Sequence, residues 1–189
     1  IKKNYIVYKS ALQSKMNLIL IVDTSASMYL NDRQNFRKKS VQNIIKYARA
    51  NGTINKIAII KFSSTAEIIR PLTSVHNTLI VDKAANQIDA RGETNMNDAF
   101  EKAYQELKRT SGKTKTITIF LTDGKNSGVF NNKHLKFKEH NSPVYTIGLT
   151  GNVDNALLNK IAKSTGGTYY RIPESFNIQD IYLKIINKE

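Results

Sequence analysis

Four short apolar runs punctuate the chain: Leu18–Val22, Ile57–Phe62, Ile117–Leu121 and Val144–Gly148. Each is rich in β-branched residues and shows little polar alternation. Strands buried on both faces of a parallel sheet have this pattern, because helices cover both sides. Ala66–Arg70 is a further strand candidate, close enough to the run before it to close a hairpin, and Thr168–Ile172 predicts a last strand.

Between these runs the apolar spacing changes to the helical period. Phe36, Val41, Ile44, Ile45 and Ala48 form one face, and Ala99, Phe100, Ala103, Tyr104 and Leu107 a second. Leu157, Leu158, Ile161 and Ala162 precede a Gly166-Gly167 stop, and Ile178, Ile181, Tyr182, Ile185 and Ile186 form a last amphipathic face. A weaker helix is expected over 76–89, and a short helix or irregular segment over 130–140, ending before Pro143. Strands alternating with helices predict an α/β fold: a doubly wound, mostly parallel sheet with one antiparallel edge strand and helices on both faces. Residues 16–189 are expected to form this one domain, with 1–15 an N-terminal extension or connection.

Composition narrows the function classes. The chain has 189 residues and no Cys, which excludes disulfides, thiolate metal sites and thiol nucleophiles. No apolar run approaches the length of a membrane helix, so no membrane insertion by this piece is expected. It starts at Ile1, with no apolar signal segment after Lys2 and Lys3, and so is expected to be part of something longer. With 29 basic and 15 acidic residues the net charge is +14. Such a field attracts acidic proteins, nucleic acid or anionic polymers without selecting among them. The basic clusters Arg37-Lys38-Lys39 and 133–138 are short and read as solvated surface, with no specific nucleic-acid partner. His76, His134 and His140 are scattered and read as surface or loop residues, and Tyr169, Tyr170 and Tyr182 as packing residues.

Candidate chemistry lies just beyond the predicted strand ends, where ligands sit in open α/β sheets. The first strand is followed by Asp23-Thr24-Ser25-Ala26-Ser27 and the third long run by Thr122-Asp123-Gly124, while Gly92-Glu93-Thr94-Asn95 precedes the second strong helix. Two carboxylates and three hydroxyls can therefore converge. An all-oxygen set suits a hard divalent cation, Mg²⁺ foremost, then Mn²⁺ or Ca²⁺. Capping of helices and turns is the competing explanation for these residue types.

The constellation Asp23-x-Ser25-x-Ser27, Thr94, and Asp123 within Leu121-Thr122-Asp123-Gly124 resembles the von Willebrand factor A domain and its metal-ion-dependent adhesion site. The resemblance runs from about Asn17 to about Lys188. It implies a Rossmann-like fold, hydroxyl ligands from Ser25, Ser27 and Thr94, and Asp23 and Asp123 bound directly or through water. It also implies a metal-binding adhesion or protein-interaction module and not an enzyme. The expected partner is a protein, such as an extracellular matrix or plasma glycoprotein, whose acidic group completes the cation's coordination. Together with the abundance of Lys, Asn and Ile, this suggests a bacterial surface or pilus-associated adhesin, extracellular or at the cell surface. The alternative is a cytoplasmic scaffold working with an ATPase in complex assembly.

One departure stands out: Glu93 occupies the place where the family commonly has Gly. Its carboxylate either faces solvent or adds negative charge near the ion. Asp98, a helical turn beyond Thr94, either starts the helix or joins Glu93 in the outer coordination sphere. Two enzyme readings are weaker. Ser111-Gly112-Lys113-Thr114 lacks the first Gly of a phosphate loop, Leu107 standing in its place, and follows a helix instead of a strand. A Mg²⁺-dependent phosphoryl or hydrolytic enzyme with Asp23 as nucleophile would carry a second Asp where Ser25 stands.

Overall fold

The computed structural model describes residues 15–77, 83–110, 112, 114–150 and 152–189. The expected extension over 1–15 lies outside the described residues except for Lys15, and of the phosphate-loop-like string only Gly112 and Thr114 are described, in the link between a helix and a strand.

Six strands form one sheet: β1 (Met16–Asp23), β2 (Ile54–Phe62), β3 (Ala66–Ser74), β4 (Thr116–Thr122), β5 (Val144–Leu149) and β6 (Tyr169–Ile172). Their order is β3-β2-β1-β4-β5-β6. Only the β2–β3 pair is antiparallel, so the expected doubly wound sheet with one antiparallel edge is what the chain forms. The hairpin strand β3 runs four residues past its predicted end at Arg70, to Ser74. Pro71 can sit within it because an edge strand has a side free of ladder hydrogen bonds.

The helices are α1 (Met28–Asn31), α2 (Phe36–Asn51), α3 (Met96–Lys108), α4 (Leu135–Glu139), α5 (Asn155–Thr165) and α6 (Ile178–Lys188). Of the weak helix expected over 76–89, residues 78–82 lie outside the described residues and 83–85 are helical.

The strand period of two divides β1 between two cores. Leu18, Leu20 and Val22 face Val41, Ile44, Ile45 and Ala48 of α2 and Ile178, Tyr182, Ile185 and Ile186 of α6. Ile19 and Ile21 face the layer of α3, α4 and α5, through Ala99, Phe100, Phe137, Leu158 and Ile161. Every residue of β1 and β4 is buried, which is why these strands read as continuous apolar runs. Close approach fixes one glycine: a Cβ at Gly167 would fall 2.1 Å from the Val144 carbonyl oxygen, so the turn from α5 into β6 accepts no side chain there.

Two surface expectations are overturned. Arg37 is fully buried. Its guanidinium pairs with Asp32 at 2.7 Å and donates to the Asp89 carbonyl at 2.9 Å. Asp32 also accepts from the backbone N–H groups of Phe36 and Arg37, capping the start of α2. A buried charge needs such partners, and a cluster count along the sequence cannot distinguish Arg37 from its solvated neighbours.

His134 is also buried. Its ring stacks on Phe130 at 5.5 Å and neither nitrogen has a hydrogen-bond partner among the described residues. Burial, then the nearby charge of Lys160, pushes its pKa from 6.5 down to about 4. The unfolded chain takes up this proton near 6.5 and the folded chain only near 4. The stability tied to neutral His134 is therefore complete above pH 6.5 and is lost as pH falls toward 4. Denaturation midpoints measured between pH 7 and pH 4.5 should fall less steeply in His134→Phe than in the wild type; equal slopes would contradict the burial argument.

Candidate metal centre

The chain winds β1 to β3 outward on one side, then returns to start β4 against the other side of β1. The reversal opens a crevice at the carboxyl ends of β1 and β4, where an α/β sheet places its ligand. Parallel register sets Val22 beside Leu121, so Asp23 and Asp123 emerge at adjacent strand ends. Both are buried, at 0% and 1% exposure.

Hydrogen bonds hold each carboxylate in place. Asp23 Oδ1 accepts from the Ser25 backbone N–H at 2.7 Å, and Oδ2 from the Thr122 hydroxyl at 2.5 Å. Asp123 Oδ1 accepts from Ser27 Oγ at 2.7 Å, and Oδ2 from Asn31 Nδ2 at 2.9 Å. The Ser25 and Ser27 hydroxyls lie 3.1 Å apart. Ser27 occupies the cap position of α1 but makes no side-chain cap bond; its hydroxyl turns to Asp123 instead. Thr94 is not a cap either, since Asn95 takes that role for α3. Helix capping thus does not account for Ser27 or Thr94, whereas Asp23 does cap its own turn through the Ser25 N–H.

Thr94 arrives on a loop that is pinned on three sides. Ala26 N–H donates to the Gly92 carbonyl at 2.9 Å, and Arg91 N–H to the Thr24 carbonyl at 2.6 Å. Asn95 N–H donates to the Ser63 carbonyl at 2.7 Å. On the far side, Ser127 accepts from Thr94 N–H and donates its own N–H to the Thr94 carbonyl. Asn126 Oδ1 accepts from Met96 N–H at 2.8 Å, at the start of α3. A Cβ at Gly124 would lie 3.2 Å from the Thr94 hydroxyl, so the missing side chain after Asp123 lets that hydroxyl close on the turn. Asp23, Ser25, Ser27, Thr94 and Asp123 are accordingly brought to one edge.

Of the two candidates for the outer coordination sphere, Asp98 has its carboxylate engaged elsewhere and Glu93, among the described residues, does not. Glu93 is exposed, and its backbone N–H bonds Ser64 Oγ at 3.0 Å. Asp98 Oδ2 accepts from the Ala66 N–H at 2.6 Å and its own N–H donates to Asn95 Oδ1, tying α3 to the β2–β3 turn. Asn31, Asn126 and Ser127, by contrast, were not singled out by sequence reasoning. Asparagine is so common in this chain that its presence near a motif carries no signal.

Electrostatics favour a cation. Burial, then the charge of Asp123, raises Asp23 from 3.8 to about 6, although hydrogen bonds from Ser25 and Thr122 oppose the rise. Neither carboxylate has a Lys or Arg ion-pair partner among the described residues. Two carboxylates and three hydroxyls match the hard-oxygen preference of a divalent ion and would be neutralised by one. Among the described residues, no group of three or more His, Cys, Asp or Glu side chains forms a rival centre.

Comparison with known proteins decides the family. The von Willebrand factor type A domain model matches residues 17–184. The chain belongs to this family. Von Willebrand A domains are often metal-dependent protein-interaction modules, and they typically serve in adhesion or as scaffolds and not as enzymes. The domain is similar to the uncharacterized protein YfbK of Escherichia coli, with 28% identity over 181 residues covering 92% of this chain and 30% of that protein. It spans between 20% and 36% of the length of the curated relatives it matches. In fold this von Willebrand A domain is similar to proximal thread matrix protein 1 of the mussel byssus, solved with a zinc-occupied adhesion-site motif (TM-score 0.76, 18% identity, 93% of this chain and 46% of that one). It is also similar to the corresponding domain of the type V pili tip protein Mfa5 from Porphyromonas gingivalis (TM-score 0.72, 10% identity, 94% and 96% covered). Among the described residues, no helix is long and apolar enough to cross a membrane.

If Asn31 orients Asp123 toward a bound ion, Asn31→Ala should weaken Mn²⁺ binding about 10–100-fold, as removal of such supporting bonds typically does. Titration calorimetry of the chelator-stripped protein would measure this; unchanged affinity would show that Asp123 is oriented without Asn31.

Proposed function

We propose that the domain binds a protein ligand through one divalent cation at this edge. The hydroxyls of Ser25, Ser27 and Thr94 would ligate the ion, with Asp23 and Asp123 binding it directly or through water. The observation that carries this reading is the pair of buried carboxylates lacking any cationic partner among the described residues, with the Ser25 and Ser27 hydroxyls beside them and the Thr94 hydroxyl at the Gly124 turn. Mg²⁺ fits such a donor set first, with Mn²⁺ or Ca²⁺ next; the zinc in the mussel relative makes Zn²⁺ worth including.

A hydroxyl-rich site adds little negative charge to the ion, so the bound cation would stay electrophilic. It would supply an attachment point for a carboxylate of the ligand. Asp23, Asp123 and their hydrogen-bond donors would hold that point rigid. Exposed Glu93 stands beside it without a side-chain hydrogen bond or ion pair among the described residues, and basic side chains elsewhere on a +14 chain steer acidic partners toward the surface.

The setting we infer is a bacterial surface or pilus-associated adhesin with a matrix or plasma glycoprotein as ligand. Its support is the resemblance in fold to a pilus tip domain and a cysteine-free, Lys- and Asn-rich composition. Surface plasmon resonance over immobilised fibrinogen, fibronectin and collagen tests it. Binding to at least one should vanish with EDTA and in Asp123→Ala, while that variant keeps its circular dichroism. Binding that ignores chelator but collapses between 50 and 200 mM salt, on the order of the change seen for polyanion contacts, would instead make the basic surface the binding element. Binding to none would refute a matrix ligand.

A further inference from the structure

Large apolar side chains are not scattered over the surface. Among the described residues the exposed ones are Tyr29, Leu30, Val129, Leu135 and Phe176. All five lie in segments that follow β1, β4 and β6, whose carboxyl ends form the edge that carries the candidate metal centre. Tyr29 and Leu30 are 74% and 61% exposed on α1, between Ser27 and Asn31. Phe176 is 54% exposed and meets Phe36 edge-on at 6.5 Å.

Two clefts flank Leu30. One, of about 320 Å³, is lined by Leu30 and Phe176 together with Asn31 and Phe36. The other, of about 360 Å³, lies between Tyr29, Leu30 and Arg33. Each is an open cleft at the small end of the size range of ligand pockets, with room for one or two side chains. Asn31 belongs both to the first cleft and to the metal centre, through its bond to Asp123. Arg33 borders both clefts, is exposed, and has no ion-pair partner among the described residues. Glu174 lines the first cleft without forming an ion pair with it.

We infer that the rim formed by Tyr29, Leu30, Arg33 and Phe176 is a specificity surface for an acidic protein segment bearing a bulky apolar residue near its metal-binding carboxylate. This rests on the metal-dependent reading above. The carboxylate would meet the cation and the apolar side chain would enter the cleft beside Leu30, one helical turn from Ser27. Arg33 would pair with a further acidic group of the segment. Charge complementarity selects this occupant: an unpaired guanidinium borders the apolar clefts, and a cation would lie at their end. The chain's own residues 1–14 contain neither Asp nor Glu and carry three lysines, so they have no carboxylate to offer. Adjacent apolar and charged anchors of this kind dominate binding in protein interfaces, whereas the surrounding contacts add shape.

The test uses an array of twelve-residue peptides in a Gly/Ser background. Each contains one Glu, with Leu, Phe or Gly at one to three residues from it, and with or without a second Glu. Wild-type protein in Mg²⁺ should prefer the Leu or Phe peptides over the Gly peptides by about tenfold, an effect worth about 1.4 kcal/mol. Leu30→Ser and Phe176→Ser should erase that preference while Mn²⁺ affinity by calorimetry stays unchanged. Arg33→Glu should erase the gain from the second Glu. Mg²⁺-dependent binding that ignores the apolar neighbour, or survives Leu30→Ser and Phe176→Ser intact, would overturn the rim while leaving the metal reading standing. Binding that persists in EDTA would overturn the metal reading itself. Binding of no peptide would overturn the proposal, as would self-association abolished by Leu30→Ser in sedimentation velocity, which would make a second copy the occupant.

Discussion

Two carboxylates, Asp23 and Asp123, are buried at the ends of adjacent parallel strands with no basic side chain paired to either among the described residues. Burial, and then the like charge of Asp123, raises the proton affinity of Asp23. The fold cannot move them apart, because each closes a strand whose every residue is buried. What it can do is surround them with donors. Thr122, Ser27, Asn31 and the Ser25 backbone each give one hydrogen bond, and the arrangement remains two negative charges facing an open edge.

The rest of that edge is organised around the same point. The loop bearing Thr94 is clamped by backbone bonds to residues 24–26 on one side and by Ser127 on the other. These contacts span more than thirty residues of sequence in either direction, so the fifth oxygen is held by the tertiary fold and not by local propensity. The same cooperation appears below the site. Asp32, one residue after Asn31, caps α2 and pairs with buried Arg37, so the end of α1 is anchored in the core while its outer face carries Tyr29 and Leu30 into solvent. A rigid base beneath an exposed apolar rim suits recognition of a partner better than it suits enclosure of a substrate.

The sheet was readable because β1, β4 and β5 are buried along their whole length and β2 along most of it, and are therefore mainly apolar; the five oxygen residues were legible as candidates because Asp23, Ser25, Ser27 and Asp123 follow apolar runs and, together with Thr94, match the motif of the family the chain resembles. Residues whose role depends on tertiary placement were not. Arg37 sits in a run of basic residues and His134 in a polar segment, and only burial by distant elements separates them from their neighbours. Asn31, Asn126 and Ser127 support the site through single hydrogen bonds, with no spacing rule and against an asparagine-rich background. The extension of β3 through Pro71 was hidden because an edge strand tolerates the residue that normally ends one.

Anomalous diffraction from crystals of the protein grown with Mn²⁺ addresses the central claim most directly. The account predicts a strong peak at coordination distance from Ser25 Oγ, Ser27 Oγ and Thr94 Oγ1, with Asp23 and Asp123 bound to it directly or through water. An ordered site with no anomalous density there, in crystals whose protein binds Mn²⁺ in solution, would contradict it.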